Sequence, residues 1–158
     1  MIPVAKQVHV QVPATSANLG SGFDTIGLAL NYYDELTFTL KDDTNDHSVT
    51  VLIDGEGEDT LPRDETNLVV STFCKACNTL GLERLGFTLE AHNRIPQARG
   101  MGSSAEAIVA GISAAAAFAQ RGGVTATVVD ADTGGERRRS GADAHACENP
   151  GEETVFHL

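Results

Sequence analysis

A mixed α+β domain is the fold class this sequence predicts, and three observations predict it. Short segments of alternating apolar and polar residues recur along the first half of the chain. Two other segments carry helical spacing. Glycine or proline separates most of these elements. The resulting order is strand, loop, strand, strand, helix, strand, loop, helix, with no internal repeat. At 158 residues the chain is long enough for one domain with a core.

The elements follow in order. Gln7 to Val12 places Val8, Val10 and Val12 on one side, a half-buried strand that Pro13 is expected to end. Ala14 to Asp24 is small, polar and glycine-containing, and reads as a loop. Thr25 to Leu30 is small and apolar. Asp34 to Leu40 alternates through Leu36, Phe38 and Leu40, and Ser48 to Ile53 through Val49, Val51 and Ile53. The acidic turn between them suits a hairpin. Asn67 is an expected N-cap for a helix whose Val69, Val70, Phe73, Cys74, Cys77 and Leu80 share a face, with Gly81 as its stop. Phe87, Leu89 and Ala91 form a last strand before the loop at Pro96. Ser104 to Gln120 is helical and rich in small residues, which predicts close packing.

Beyond Arg121 the periodicity fades. Residues 121–151 are glycine-rich, carry Arg137-Arg138-Arg139, and read as an insert or loop, with a short strand at Val124 to Val129. Residues 152–158 read as a helix start: a turn, acids, then apolar side chains.

Composition excludes several classes. The net charge is −11, and acids far outnumber bases between Lys41 and Thr66, so no nucleic-acid partner is expected. No apolar run is long enough for a membrane span, and the N-terminus lacks signal-peptide character. Three cysteines cannot all pair. A cytoplasmic protein is expected. Cys74 and Cys77 have C-x-x-C spacing, but a zinc site needs a second pair. They read as buried helix cysteines.

Two loops carry chemistry. In Pro96-Gln97-Ala98-Arg99-Gly100-Met101-Gly102-Ser103-Ser104-Ala105-Glu106, a Gly-x-Gly turn runs into two serines and an alanine-rich helix. A helix N-terminus offers free N–H groups and the positive end of a dipole, which suits a phosphate. Ser103 and Ser104 can cap the helix, bond a phosphate oxygen or ligate Mg²⁺. No Gly-Lys-Ser/Thr follows, so this is not a Walker A loop. It satisfies G-x-G-x-x-A, but no buried strand leads directly into it and no acid stands about 20 residues on. A dinucleotide oxidoreductase is the disfavoured alternative. A nucleotide-binding module without chemistry is another. Arg94 and Arg99 read as solvated, His92 as structural, and Glu106 as an acid in contact with the helix dipole and solvent. The second loop, Pro13 to Asp24, is either a surface turn or a substrate loop in which Asn18 and Asp24 bind an amine or hydroxyl. No residue stands out as a catalytic base.

Together, and in this order, the two loops resemble the GHMP kinase superfamily. Its first motif is Pro-x-x-x-Asn-x-Gly and its second Pro-x-x-x-Gly-Leu-Gly-Ser-Ser-Ala, with Met101 here in place of leucine. The long run Asn18-Leu19-Gly20-Ser21-Gly22-Phe23-Asp24 resembles the homoserine kinases within it, with another small-molecule kinase of the superfamily as the alternative. The resemblance covers residues 5–120. It implies the fold of the N-terminal half of a GHMP kinase, similar to ribosomal protein S5 domain 2. It implies ATP-dependent phosphorylation of L-homoserine on its hydroxyl, a step towards threonine, and in the full-length family a homodimer. By the same resemblance, Pro96 to Glu106 wraps the ATP phosphates, with Ser103 or Ser104 near Mg²⁺. Asn67 and Leu68 lie near the nucleotide. Asn18 and Asp24 hold homoserine, Asp24 through the ammonium. Homoserine kinases are about twice as long and carry a Glu-Gly-His-Pro-Asp-Asn segment and a late glycine-rich motif. Neither occurs in these 158 residues. The expectation is an N-terminal fragment without the C-terminal domain, cut inside a helix, and of little activity. A frameshifted tail is the alternative.

Overall fold

The computed structural model describes residues 2–119 and 154–157. Strands β1 (Gln7–Ala17), β2 (Gly27–Leu40), β3 (Val49–Gly55), β4 (Phe87–Asn93) and β5 (Thr154–His157) form one sheet in the order β3-β4-β2-β1-β5. Helices α1 (Leu68–Leu80) and α2 (Ser103–Ala119) cover one face. The α+β class holds.

Period-2 alternation sets the inward face. Val8 pairs with Phe38 and Val10 with Leu36 across β1 and β2. Leu36 pairs with Ala91 and Phe38 with Leu89 across β2 and β4. All are buried. The other face carries cross-strand polar pairs, among them Gln7 with Thr39 and His9 with Thr37, both at 2.9 Å. The helices close the core through Phe73 and Phe118. Gly111 lets them approach: a Cβ there would lie 2.8 Å from the Val69 carbonyl oxygen. The small residues of α2 thus serve helix–helix contact as well as contact with the sheet.

Several expectations need correction. Pro13 does not end β1, which continues to Ala17. The register with β2 shifts between Pro13 and Thr15, and such an irregularity tolerates a residue that lacks an N–H. The segment Ala14 to Ala17 is therefore strand, and Gly20–Thr25 is a 3-10 turn.

The hairpin between the second and third strands does not form. β4 lies between them, antiparallel to β2 and parallel to β3. The Lys41–Ser48 connection arches over the start of β4, where Lys41 N–H donates to Gly86 O (3.0 Å) and Phe87 N–H to Ser48 O (3.2 Å). A Cβ on Gly86 would collide with the Asp46 carbonyl.

The tail reading also changes. Thr154–His157 is a strand, not the start of a helix, and runs parallel to β1 with Thr154 opposite Val8 and His157 opposite Gln11. Threonine, valine and phenylalanine suit a strand, and the outer edge of β1 offers the hydrogen bonds. His92, read as structural, lies in β4 near its end. Its side chain is exposed and meets Asp54 at 3.1 Å. The predicted insert, including Val124 to Val129, lies outside the described residues.

α1 matches its expected signals. Asn67 Oδ1 accepts from the Val69 and Val70 amides at 2.9 and 3.5 Å. Gly81 closes the helix in the left-handed region at φ 78°, and the Leu82 amide donates back to Cys77 O. Cys77 is buried as expected, but Cys74 is exposed, which corrects the reading of both as buried. It falls on the outer side of the helical face. Neither cysteine is disulfide-bonded. Burial pushes the Cys77 thiol up to about 12, which makes it a poor nucleophile.

Candidate functional site

The carboxyl ends of β3 and β4 lead to the same rim. From β4 the chain passes through Arg94 and Ile95 into the Pro96–Gly102 loop and then into α2. Gly100 and Gly102 take φ of 72° and 79°, which glycine adopts without strain. Ala98 also has positive φ, at 56°. Asn18 at 58° is the other non-glycine residue of this kind among the described residues. Both lie in the two loops singled out from the sequence, as local backbone strain often does at ligand sites.

The structure brings those two loops together. The Thr15 amide donates to Met101 O at 2.9 Å. Gly102 lies so close to Thr15 that a Cβ would overlap the Thr15 hydroxyl. Two residues past β1, Leu19 leads into the 3-10 turn that contains Asp24, and the Gly22 amide donates to Leu19 O at 3.1 Å. Asn18 is exposed beside it.

Ser103 is half-buried and Ser104 exposed in the first turn of α2. Their hydroxyls are hard oxygen donors at a helix N-terminus, a donor set that fits Mg²⁺. Arg94 and Arg99 are exposed, as expected of solvated side chains. Gln97 is half-buried against Gly57 of the loop after β3. Asn67 is buried, and its amide is used on the α1 cap and on Pro62 O (2.9 Å). Leu68 beside it is 43% exposed.

Glu106 departs most from expectation. Its contact with solvent is slight. It is only 7% exposed, and its Oε1 is buried without a hydrogen-bond partner. Helical side chains lean towards the N-terminus, and here that direction runs into the domain, not along its surface. Burial, then the nearby carboxyl of Asp34, push the Glu106 acid up to about 8. Asp34 itself is buried, and burial raises it too, against the opposing pull of the backbone donors. Its Oδ1 accepts from the Arg94 and Ile95 amides at 2.5 and 2.8 Å, which fixes the entry to the loop.

Sequence reasoning missed Thr15, Asp34 and Gly57. Asp34 carried a legible signal. It occupies the inward position two residues before Leu36, where an apolar side chain is expected. Thr15 and Gly57 carried none, because their roles arise from long-range contact.

Known proteins extend this picture. The model for the GHMP kinases N terminal domain matches residues 67–149, just over half of the chain. The chain is 50% identical over 115 residues to the homoserine kinase of Leifsonia xyli subsp. xyli, covering 73% of this chain and 35% of that protein. It is 47% identical over 114 residues to the homoserine kinase of Corynebacterium diphtheriae. Among solved structures, homoserine kinase from Cytophaga hutchinsonii superposes with a TM-score of 0.59 at 33% identity, covering 72% of this chain and 35% of that one. The putative homoserine kinase from Listeria monocytogenes gives 0.54 at 37% identity, covering 71% and 37%. The chain thus spans about 35% of the length of the curated relatives it matches. Among the described residues no helix is long and apolar enough to cross a membrane. With its α+β sheet, its glycine loop on α2 and these relatives, the chain belongs to the GHMP kinase family.

Proposed function

We propose that this chain carries the ATP-phosphate and substrate loops of a homoserine kinase, which transfers the γ-phosphoryl group of ATP to the hydroxyl of L-homoserine. One observation supports this above the others. The Pro96–Glu106 loop opens on the N-terminus of α2 and is joined through Thr15–Met101 to the loop that holds Asn18 and Asp24. Two reactants held on such neighbouring loops meet at one rim, and phosphoryl transfer needs mainly positioning and charge stabilisation.

In this reading the amides of Gly102, Ser103 and Ser104 and the α2 dipole bind the phosphates. Mg²⁺, held by Ser103 or Ser104, would neutralise phosphate charge. Asn18 and Asp24 take the amino-acid end of homoserine. Asn67 and Leu68 lie near the nucleotide, the exposed Leu68 offering an apolar contact to the base and Asn67 holding the α1 cap. Residues 1–120 form the GHMP N-terminal domain. The 158 residues are expected to bind ATP with little turnover, because the transfer step is proposed for the longer proteins of this kind. A threonine-pathway role, the cytoplasm and a homodimer belong to the same proposal.

Isothermal titration with ATP, with and without Mg²⁺, tests it, followed by a phosphate-transfer assay with homoserine. Mg²⁺-dependent ATP binding without NAD binding is the expected result. NAD binding in its place would sink the kinase reading. ATP binding with no transfer in a full-length relative carrying these same loops would leave only a nucleotide-binding module.

A further inference from the structure

Two carboxyl groups from distant parts of the chain are buried beside the phosphate loop, near enough for the charge of one to act on the other. Glu106 comes from the first turn of α2 and Asp34 from β2. Both are more than nine-tenths buried. The one charge acting on Glu106 among the described residues is that of Asp34, which is of the same sign. Across β1 the residue opposite Asp34 is the uncharged Val12. Arg94, from an exposed position, and Glu56, with the opposite effect, act on Asp34. Glu106 Oε1 has no hydrogen-bond donor. Buried acids in proteins are paired, hydrogen-bonded or bound to a metal. This one is neither paired nor fully hydrogen-bonded.

We propose that Glu106 and Asp34 form a cation site beneath the phosphate loop, which takes a small divalent ion of the Mg²⁺ or Mn²⁺ class in the absence of nucleotide. The donors are hard carboxylate oxygens. No group of three or more His, Cys, Asp or Glu gathers among the described residues, so water and carbonyl oxygens complete the shell. That pattern of one or two carboxylates plus water suits Mg²⁺ and Mn²⁺ rather than a soft metal. Two carboxylates balance the charge of one divalent ion. The ion ties β2 to α2, and through the Arg94 and Ile95 amides it steadies both ends of the loop. It is separate from any ion held by Ser103 or Ser104 on the phosphates, and binding without ATP is its signature.

Mn²⁺ titration of the full chain, free of nucleotide and followed by electron paramagnetic resonance, tests the site. The expected result is one site per chain, distinct from weak surface binding. Glu106→Gln weakens it at least tenfold, as even outer-shell losses do at metal sites. Asp34→Asn, which keeps an acceptor for the two amides, weakens it as well. Glu58→Gln, in the exposed loop after β3, leaves it unchanged. Mn²⁺ also broadens the ¹³C carboxyl resonance of Glu106 in the wild-type chain, so the site can be judged even where a variant fails to fold. Weak, multi-site binding alone, a Glu106→Gln titration equal to wild type, or a Glu106 resonance that stays sharp would each overturn the proposal. Glu106 would then be a neutral buried acid. Because no nucleotide is present, failure here is distinct from failure of the kinase reading.

Discussion

The inward face of β2 runs from one kind of chemistry to another. At one end Phe38 packs on Phe73 and Phe87 with ring centroids 5.0 and 5.9 Å apart. Phe73 and Phe87 meet at 4.7 Å, and Phe118 closes the cluster at 5.8 Å from Phe73. At the other end, two steps past Leu36, the same face presents Asp34 to Glu106. The aromatic end satisfies every rule of core packing. The acidic end violates one, and it lies beside the loop with left-handed alanine and glycine residues. Natural proteins accept such local violations mainly where a ligand repays them. The contrast separates what holds this domain together from what it is for.

The largest effect should come from breaking the aromatic end. Phe73→Ala removes the ring shared by these contacts and is expected to cost about 3–5 kcal/mol in urea unfolding. If the loss is under about 1 kcal/mol, the cluster is not the stabilising centre.

The acidic end should respond to pH rather than to truncation. Glu106 carries its proton in the folded chain up to about pH 8, whereas its ordinary value is 4.5. Between those values the unfolded chain holds fewer protons, so stability falls as pH rises, by up to about 1.4 kcal/mol per pH unit. With metal removed by chelator, roughly 2–3 kcal/mol should be lost between pH 5 and pH 7. Glu106→Gln should remove that slope, and an unchanged slope would assign it to other groups.

Two smaller changes sharpen the comparison. Gly102→Ala strains the backbone at φ 79° and collides with Thr15. ATP affinity should drop about 10²-fold with a smaller change in Tm, since small misplacements at such a site are costly. Equal losses of affinity and stability would mean the loop is structural. Asn67→Ala removes the α1 cap and should cost about 1 kcal/mol of stability. A large loss of ATP affinity in that variant, at unchanged stability, would mean that Asn67 touches the nucleotide directly, and unchanged affinity that it serves the cap alone.

What was legible in the sequence follows range of interaction. Val8, Val10 and Val12 reported their strand because a strand's side chains alternate with period 2, whatever lies next to it. Asn67 and Gly81 reported the ends of α1 because caps act within a few residues. Gly100 and Gly102 reported the phosphate loop because positive φ is a local demand. The hairpin failed as a reading because β4, far along the chain, pairs with both β2 and β3, and Gly86 fits close under Asp46 only in the assembled sheet. Glu106 was misplaced for the same reason. Its spacing fits either side of α2, and only the assembled sheet decides that it points at Asp34.

The sequence alone therefore determined the α+β class, the extent of most elements, the two loops and the family they resemble. Tertiary structure decided the order of the sheet, the strand at Thr154–His157, the meeting of Thr15 with Met101 and the burial of Glu106. Local propensities and caps act over a few residues and can be read along the chain. Pairing partners and the polarity of a buried site are set by residues far apart in sequence, and they exist only once the chain has folded.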